Sequence, residues 1–296
     1  MVYISTRRQL GTRPEKIELE GKTFSFVTGQ RGYMSAIYKS EHAYLRIGEE
    51  RKIAPDLALH RKMEVAGFPV ARLLGEGELD GQKYFIESSL GEKHLGELFA
   101  DDIELHGAIG EGLFESLVSV AEKFSEAQLT TLVEERNFDD FARGIWIDRL
   151  CEEMPAHASK LKERFEEVKR NTHSIPFVVT HGDFNPNNLY PTGVIDLEDS
   201  FHAPYGYDLI SAITHIDSFP DSHEFEYFAK YRFTPDQVRH YLGRLDRISV
   251  ANNLPKLSTL LEDFSFCRAV WLAADIPATP KLQQFRYQLV IDRYLT

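Results

Sequence analysis

Cysteine is nearly absent. The two present, Cys151 and Cys267 in a chain of 296 residues, lie far apart and offer neither a disulfide framework nor a close-spaced metal or redox pair. No apolar run approaches the roughly 18 residues of a membrane span. The opening Met1-Val2-Tyr3-Ile4-Ser5-Thr6-Arg7-Arg8 lacks the apolar stretch of a secretory signal. Together these absences predict a cytoplasmic protein. Positive charge is also short: Lys+Arg 34 against Asp+Glu 46 gives a formal charge of -12. That balance argues for no nucleic acid and no anionic membrane as partner. No internal repeat or low-complexity linker is found. With 43% hydrophobic and 27% charged residues the chain reads as an ordinary globular protein, and at roughly 150 residues per domain it has room for about two.

Short strand-like runs fill the first ninety residues: Phe24–Val27, Ser35–Tyr38, Ala43–Ile47, Ala71–Leu74 and Tyr84–Glu87. One helical stretch interrupts them, with Leu59, Met63 and Ala66 on one face and Gly67 closing it. The order β-β-β-α-β-β describes a small antiparallel sheet carrying one helix. Beyond residue 95 the period turns helical, as in Ile109, Leu113, Phe114, Leu117, Val118 and Phe124, and again in Phe264, Val270, Trp271 and Leu272. A brief β interruption covers Pro176–Thr180 and the pair Leu189-Tyr190 and Val194-Ile195. The fold class is therefore α+β and bilobal: an N-terminal lobe at residues 1–90 and a helical lobe at 91–296, joined near Ser88–Leu95.

The chemistry lies in Thr180-His181-Gly182-Asp183-Phe184-Asn185-Pro186-Asn187-Asn188-Leu189-Tyr190-Pro191-Thr192-Gly193-Val194-Ile195-Asp196. A three-residue hairpin loop at Pro191-Thr192-Gly193 would set Leu189 opposite Ile195 and Asn188 opposite Asp196. An amide oxygen beside a carboxylate suits a hard cation such as Mg²⁺, completed by water and phosphate oxygens. Asp183, on a loop broken by Gly182 and Pro186, can reach the same place and accept a proton. Phosphoryl transfer divides labour in this way, one Asp orienting the attacking hydroxyl while an Asn and a second Asp hold the metal. Taken singly, each of these residues could simply cap a turn.

The H-G-D-x-x-x-x-N loop and the following Ile195-Asp196 resemble the aminoglycoside phosphotransferase and choline kinase superfamily, small-molecule kinases with a protein-kinase-like fold. Tyr207-Asp208-Leu209 and the hinge pattern Glu87-Ser88-Ser89-Leu90-Gly91 are similar to that family too. The resemblance implies ATP or GTP with Mg²⁺ as cofactors and a small-molecule hydroxyl as acceptor, sugar-like or amine-bearing. It implies Asp183 as catalytic base, Asn188 and Asp196 as metal ligands, His181 as loop organiser and Asp208 as structural anchor. It further implies that backbone groups of Glu87, Ser89 and Leu90 hold the nucleobase, and that the loop with Gly29 and Gly32 covers the phosphates.

Arg46 stands where the family usually has a strand lysine that touches the phosphates. It either grips phosphate with two donors or is an exposed strand arginine. Its helix acid would be Asp56, with Glu49 and Glu50 competing. A protein kinase is excluded because only eleven residues separate Asp196 from Asp208, too few for a peptide platform. A calcineurin-like phosphoesterase would need further His and Asp ligands. The alternative from another class is a nucleotide-binding regulator or pseudokinase that kept the fold and lost turnover. Residues 96–140 hold twelve acids against Lys123 and Arg136, a net of -10. They form either a solvated face or, with Asp217, Glu262 or Asp263, an acidic wall for a cationic acceptor.

Overall fold

The computed structural model describes residues 14–27, 35–225, 229–274 and 278–296, so Gly29 and Gly32 lie outside the described residues. The chain divides into two compact units. Residues up to Arg61 group with Ala71–Ser89, and Lys62–Val70 group with Leu90–Thr296.

The first unit is built on a six-stranded antiparallel sheet of β1 (Lys16–Leu19), β2 (Lys22–Phe26), β3 (Ser35–Lys39), β4 (Ala43–Gly48), β5 (Leu73–Leu79) and β6 (Gln82–Ser88), in the order β1-β2-β3-β4-β6-β5. Phe24, Tyr38, Leu45, Ile47 and Ile86 form its core. Each comes from an alternating apolar position, which is why four of the six strands show in the sequence as runs close to their true bounds. Two do not. β1 is a four-residue edge strand whose one buried residue is Ile17. β5 extends well beyond Ala71–Leu74 through Gly75-Glu76-Gly77-Glu78, poor strand formers held in the ladder by β6 after a register shift between Leu73 and Gly75. The helix α1 (Glu50–Val65) is ended by Gly67 as its spacing predicts, and its buried residues are Ile53, His60 and Met63.

The second unit is helical. Its helices are α2 (Leu95–His106), α3 (Glu111–Thr130), α4 (Phe138–Gly144), α5 (Ile147–Glu153), α6 (Ala158–Thr172), α7 (Tyr207–Thr214), α8 (Pro235–Ala251), α9 (Leu261–Ala274) and α10 (Pro280–Tyr294). Among them lie two small sheets. One joins β7 (Leu132–Val133), β8 (Phe177–Val179) and β11 (His202–Pro204), and the other is the hairpin of β9 (Leu189–Tyr190) and β10 (Gly193–Val194). Among the described residues no helix is long and apolar enough to cross a membrane, and both cysteines are free and buried.

The hairpin register differs from the expected one. Gly193 pairs with Tyr190 and Val194 with Leu189, so the loop has two residues, Pro191 and Thr192. Asn188 faces Ile195, whose N–H donates to the Asn188 carbonyl at 3.0 Å; Asn188 and Asp196 are not directly opposed. Val194 rather than Ile195 shares the core face with Leu189. The cause is Gly193, read as a turn residue but needed for close packing: a side chain there would overlap the Pro69 carbonyl, which accepts the Val194 N–H at 2.7 Å. The glycine is fixed inside the strand, and the loop shortens by one.

Candidate active site

Residues 180–188 are pinned from three sides. Phe184 is fully buried against Phe124 of α3, ring centres 4.5 Å apart. Asp208, at the start of α7, accepts the N–H groups of His181 at 2.8 Å and Gly182 at 3.1 Å, and the Gln128 amide at 2.9 Å. Burial raises its carboxyl to about 7, while the two backbone N–H groups pull the other way. Gly182 has φ +82°, and a side chain there would overlap the Asp199 carbonyl, so the turn that presents Asp183 admits glycine alone. His181 is buried, with Nε2 on the Ile195 carbonyl at 2.7 Å and Nδ1 accepting the Asp183 N–H at 3.3 Å. Both ring nitrogens are thereby used. Burial lowers its pKa, and it works as a neutral spacer between the loop and the hairpin.

The Asp183 carboxylate faces donors only. Oδ1 accepts from Asn185 Nδ2 at 2.8 Å and from the Arg268 guanidinium, and Oδ2 accepts from Asn188 Nδ2 at 2.8 Å. Burial, the largest single influence, would raise its pKa, but the Arg268 charge, the Arg268 hydrogen bond and the neighbouring His215 and His181 together outweigh it, and the carboxyl is lowered to about 2. A carboxylate has about four acceptor positions. Three are taken, which leaves one on Oδ2 for an incoming hydroxyl. Asn188 spends its amide nitrogen on the Asp183 carbonyl and carboxylate, which leaves its Oδ1 for a further partner. Asp196 ends the hairpin in a left-handed conformation, φ 66° and ψ 67°, which halts the strand alternation one residue beyond Ile195.

Arg268 went unrecognised in the sequence, and it organises the site. It lies on α9 and is 1% exposed. It donates to the Gly182 carbonyl at 3.1 Å, to Asp183 and to His215 Nδ1 at 2.6 Å, and its guanidinium lies 4.2 Å from the Trp271 ring centre. A signal was available, since the buried stretch Phe264-Ser265-Phe266-Cys267-Arg268-Ala269-Val270-Trp271-Leu272, beyond the acidic first turn of α9, carries Arg268 as its one charge. Such a charge requires a buried partner.

In the first unit, Arg46 Nε bonds Glu87 Oε1 at 3.0 Å, with side-chain exposures of 16% and 7%. Arg46 is thus not an exposed strand arginine. An acid that meets it comes from β6, and α1 contributes His60, whose Nδ1 lies 3.5 Å from Glu87 Oε2. Glu87 was expected to act through its backbone, but it is paired in the ladder with both Tyr44 and Leu73. The Ser89 N–H is likewise taken, by the His42 carbonyl at 2.8 Å. In the second unit the Leu90 carbonyl accepts the Thr192 hydroxyl at 2.9 Å.

Several of the acids expected as a wall are paired elsewhere. Asp217 and Glu262 bond Arg293, Asp263 bonds Arg164 and Asn171, and Glu115 and Glu122 bond Arg244. A cavity of about 540 Å³ within the second unit is lined by only two of the set, Glu97 and Asp101, with Asn187 and His215 beside them.

Residues 17–241 match the model of the phosphotransferase enzyme family, APH. The chain belongs to that family. By family and fold this phosphotransferase is a small-molecule kinase, and its structure is similar to two solved kinases along most of its length. One is a thermostable mutant of the aminoglycoside phosphotransferase APH(4)-Ia in ternary complex with ADP and hygromycin B: identity 14%, coverage 90% of this chain and 93% of that one, TM-score 0.55. The other is an ethanolamine kinase from Plasmodium vivax: identity 14%, coverage 92% and 82%, TM-score 0.53. At such identities the likeness is one of fold. A search of curated protein sequences found no match.

Proposed function

We propose that this phosphotransferase moves the γ-phosphoryl group of ATP or GTP to a hydroxyl of a small sugar-like or amine-bearing molecule, with Asp183 as the residue that receives the hydroxyl. The observation that carries this is the one acceptor position left on the Asp183 carboxylate by Asn185, Asn188 and Arg268. The acceptor hydroxyl donates to Oδ2, and its oxygen is held for attack on the γ-phosphorus. As that bond forms and the bond to the β-phosphate bridging oxygen breaks, the nucleoside diphosphate leaves and the hydroxyl proton passes to Asp183. With its pKa near 2, Asp183 is a weak base in the ground state. Its main contribution is therefore orientation, which suits a transition state that demands little of a base.

The residues present fit Mg²⁺. Asn188 Oδ1 and the Asp196 carboxylate are hard oxygen donors, and a site of two protein ligands leaves the remaining positions to water and phosphate oxygens. When bound, the ion would supply positive charge against the phosphates. The phosphotransferase is expected to gain thermal stability on titration with a nucleoside triphosphate and Mg²⁺, by about 2.7 kcal/mol at 100 times Kd. Asp196→Ala should lose the Mg²⁺-dependent part of that gain. Absence of any shift with either nucleotide would overturn the kinase reading. Steady-state nucleotide consumption with an acceptor separates it from a pseudokinase.

Arg46 is proposed as the phosphate-holding cation of the first unit. Its ion pair with Glu87 fixes what substitution does. Arg46→Ala leaves a buried carboxylate without its strongest partner, and it should lower stability by about 1–3 kcal/mol as well as raise the nucleotide KM. Arg46→Lys keeps the charge and should retain more activity. If both variants show wild-type nucleotide KM, Arg46 serves the fold alone.

A further inference from the structure

The cavity beside the catalytic loop holds two groups that the fold positions and leaves unsatisfied. His215 is 6% exposed, and its Nδ1 accepts from Arg268, so the other nitrogen, Nε2, carries the hydrogen. No protein partner for that N–H is found among the described residues. Tyr231 is 6% exposed, and its ring is held by Phe99 and Phe233, each with centroid 5.6 Å away. Its buried hydroxyl has no hydrogen-bond partner. Both residues line the same cavity. A buried hydroxyl without a partner costs about 1–3 kcal/mol, and one kept beside a cavity of ligand size points to an occupant that satisfies it.

The charges around these groups are balanced. Two acids, Glu97 and Asp101, and two cations, Lys93 and Lys230, line the cavity. Asp101 is neutralised by Lys93 at 2.6 Å. Glu97 is engaged at the start of α2, where its carboxylate accepts the His94 N–H at 3.3 Å. His215 is kept neutral, since burial first and the neighbouring Arg268 charge second lower its pKa to about 3. The two acids of the lining are matched in number by its two cations, so a polycation gains no net attraction there, whereas hydroxyl oxygens would meet the imidazole N–H, the tyrosine hydroxyl and the Lys230 ammonium.

We propose that the acceptor is an uncharged polyhydroxy molecule of the sugar or cyclitol class, positioned by the His215 N–H and the Tyr231 hydroxyl. The inference rests on the phosphotransferase reading. His215 is one guanidinium from Asp183, since a single Arg268 nitrogen donates to both. An acceptor oxygen bound by His215 therefore lies within a short span of the one that Asp183 receives.

The test measures ATP consumption with neutral sugars and inositol, with choline and ethanolamine, and with kanamycin and hygromycin B, at two salt concentrations. ATP binding is followed in parallel by thermal shift. A neutral polyol should give the highest kcat/KM, with a KM that does not move with salt. Tyr231→Phe should raise that KM about tenfold and leave the ATP KM unchanged. His215→Ala should raise it further, and His215→Gln, which can still accept from Arg268 and donate onward, should recover part of the loss. Preference for a cationic acceptor overturns the proposal. So does an unchanged acceptor KM in Tyr231→Phe, and so does failure to phosphorylate any compound while ATP still binds. Failure to bind ATP strikes instead the phosphotransferase reading beneath it.

Discussion

Asp183→Asn is expected to lower kcat by a factor of about 10² to 10⁴, the range removed with a positioned general base, and to lower stability as well. The sequence alone makes this a shape-preserving change. The site makes it a conflict. Every group facing the carboxylate is a donor: Asn185 Nδ2, Asn188 Nδ2 and the Arg268 guanidinium. An asparagine must turn its own NH₂ toward at least one of them, and one donor in a partly buried network is left unsatisfied at about 1–3 kcal/mol. The change also discharges the partner of Arg268. Asp183→Glu keeps the charge but pushes it outward by a methylene, so it should retain more stability than Asp183→Asn while losing activity. Turnover with the acceptor and urea midpoints of both variants check this. Wild-type turnover in Asp183→Asn would mean that the carboxylate serves only to hold the loop.

The loop itself was legible from sequence because its chemistry is local. His181, Gly182, Asp183 and Asn188 fall in one stretch, and a tight turn that presents an aspartate needs a glycine before it. Asp208 was legible only through the resemblance of Tyr207-Asp208-Leu209 to the family's pattern. What could not be read depends on contacts distant in sequence. The hairpin register turned on whether Gly193 was a turn residue or a packing residue, and only the Pro69 carbonyl pressing against it decides that. Glu87 was read for its backbone because it precedes the hinge, yet it faces inward from β6 onto Arg46. Strand alternation allows that, but no local pattern distinguishes an inward acid with a partner from an outward one.

The acidic stretch shows the opposite case, a local pattern whose charge is partly taken up by partners distant in sequence. Net charge over residues 96–140 counts side chains without their partners, and Arg244 alone takes up both Glu115 and Glu122. What remains beside Asn187 is a cavity whose lining holds two acids and two cations. Composition reports the field far from a surface, whereas the arrangement of pairs sets the field within a cavity.

Arg268→Met is expected to be the most destabilising single change in the second unit, by about 3–5 kcal/mol, because it breaks a buried ion pair from one side. Methionine approximates the stem of arginine and leaves little empty volume, so the loss comes from what is stranded. Those groups are the Asp183 carboxylate, the Gly182 carbonyl and His215 Nδ1. The pH dependence identifies the cause. Asp183 has a folded pKa of about 2 against an ordinary 3.8. A depressed acid contributes stability that is fully present above the unfolded value and is lost as pH falls through the folded one. In the wild type this contribution, about 2 kcal/mol by the size of the depression, should disappear between roughly pH 4 and pH 2. Without the guanidinium, burial is opposed only by the two amide donors and the weaker influence of His215 and His181, so most of the depression is gone and the variant has little such contribution to lose. Urea midpoints of the two proteins should therefore differ most at neutral pH and draw together on acidification. A constant difference from pH 7 to pH 2.5 would show that Arg268 stabilises through Trp271 and the Gly182 carbonyl, with no contribution from its charge on Asp183.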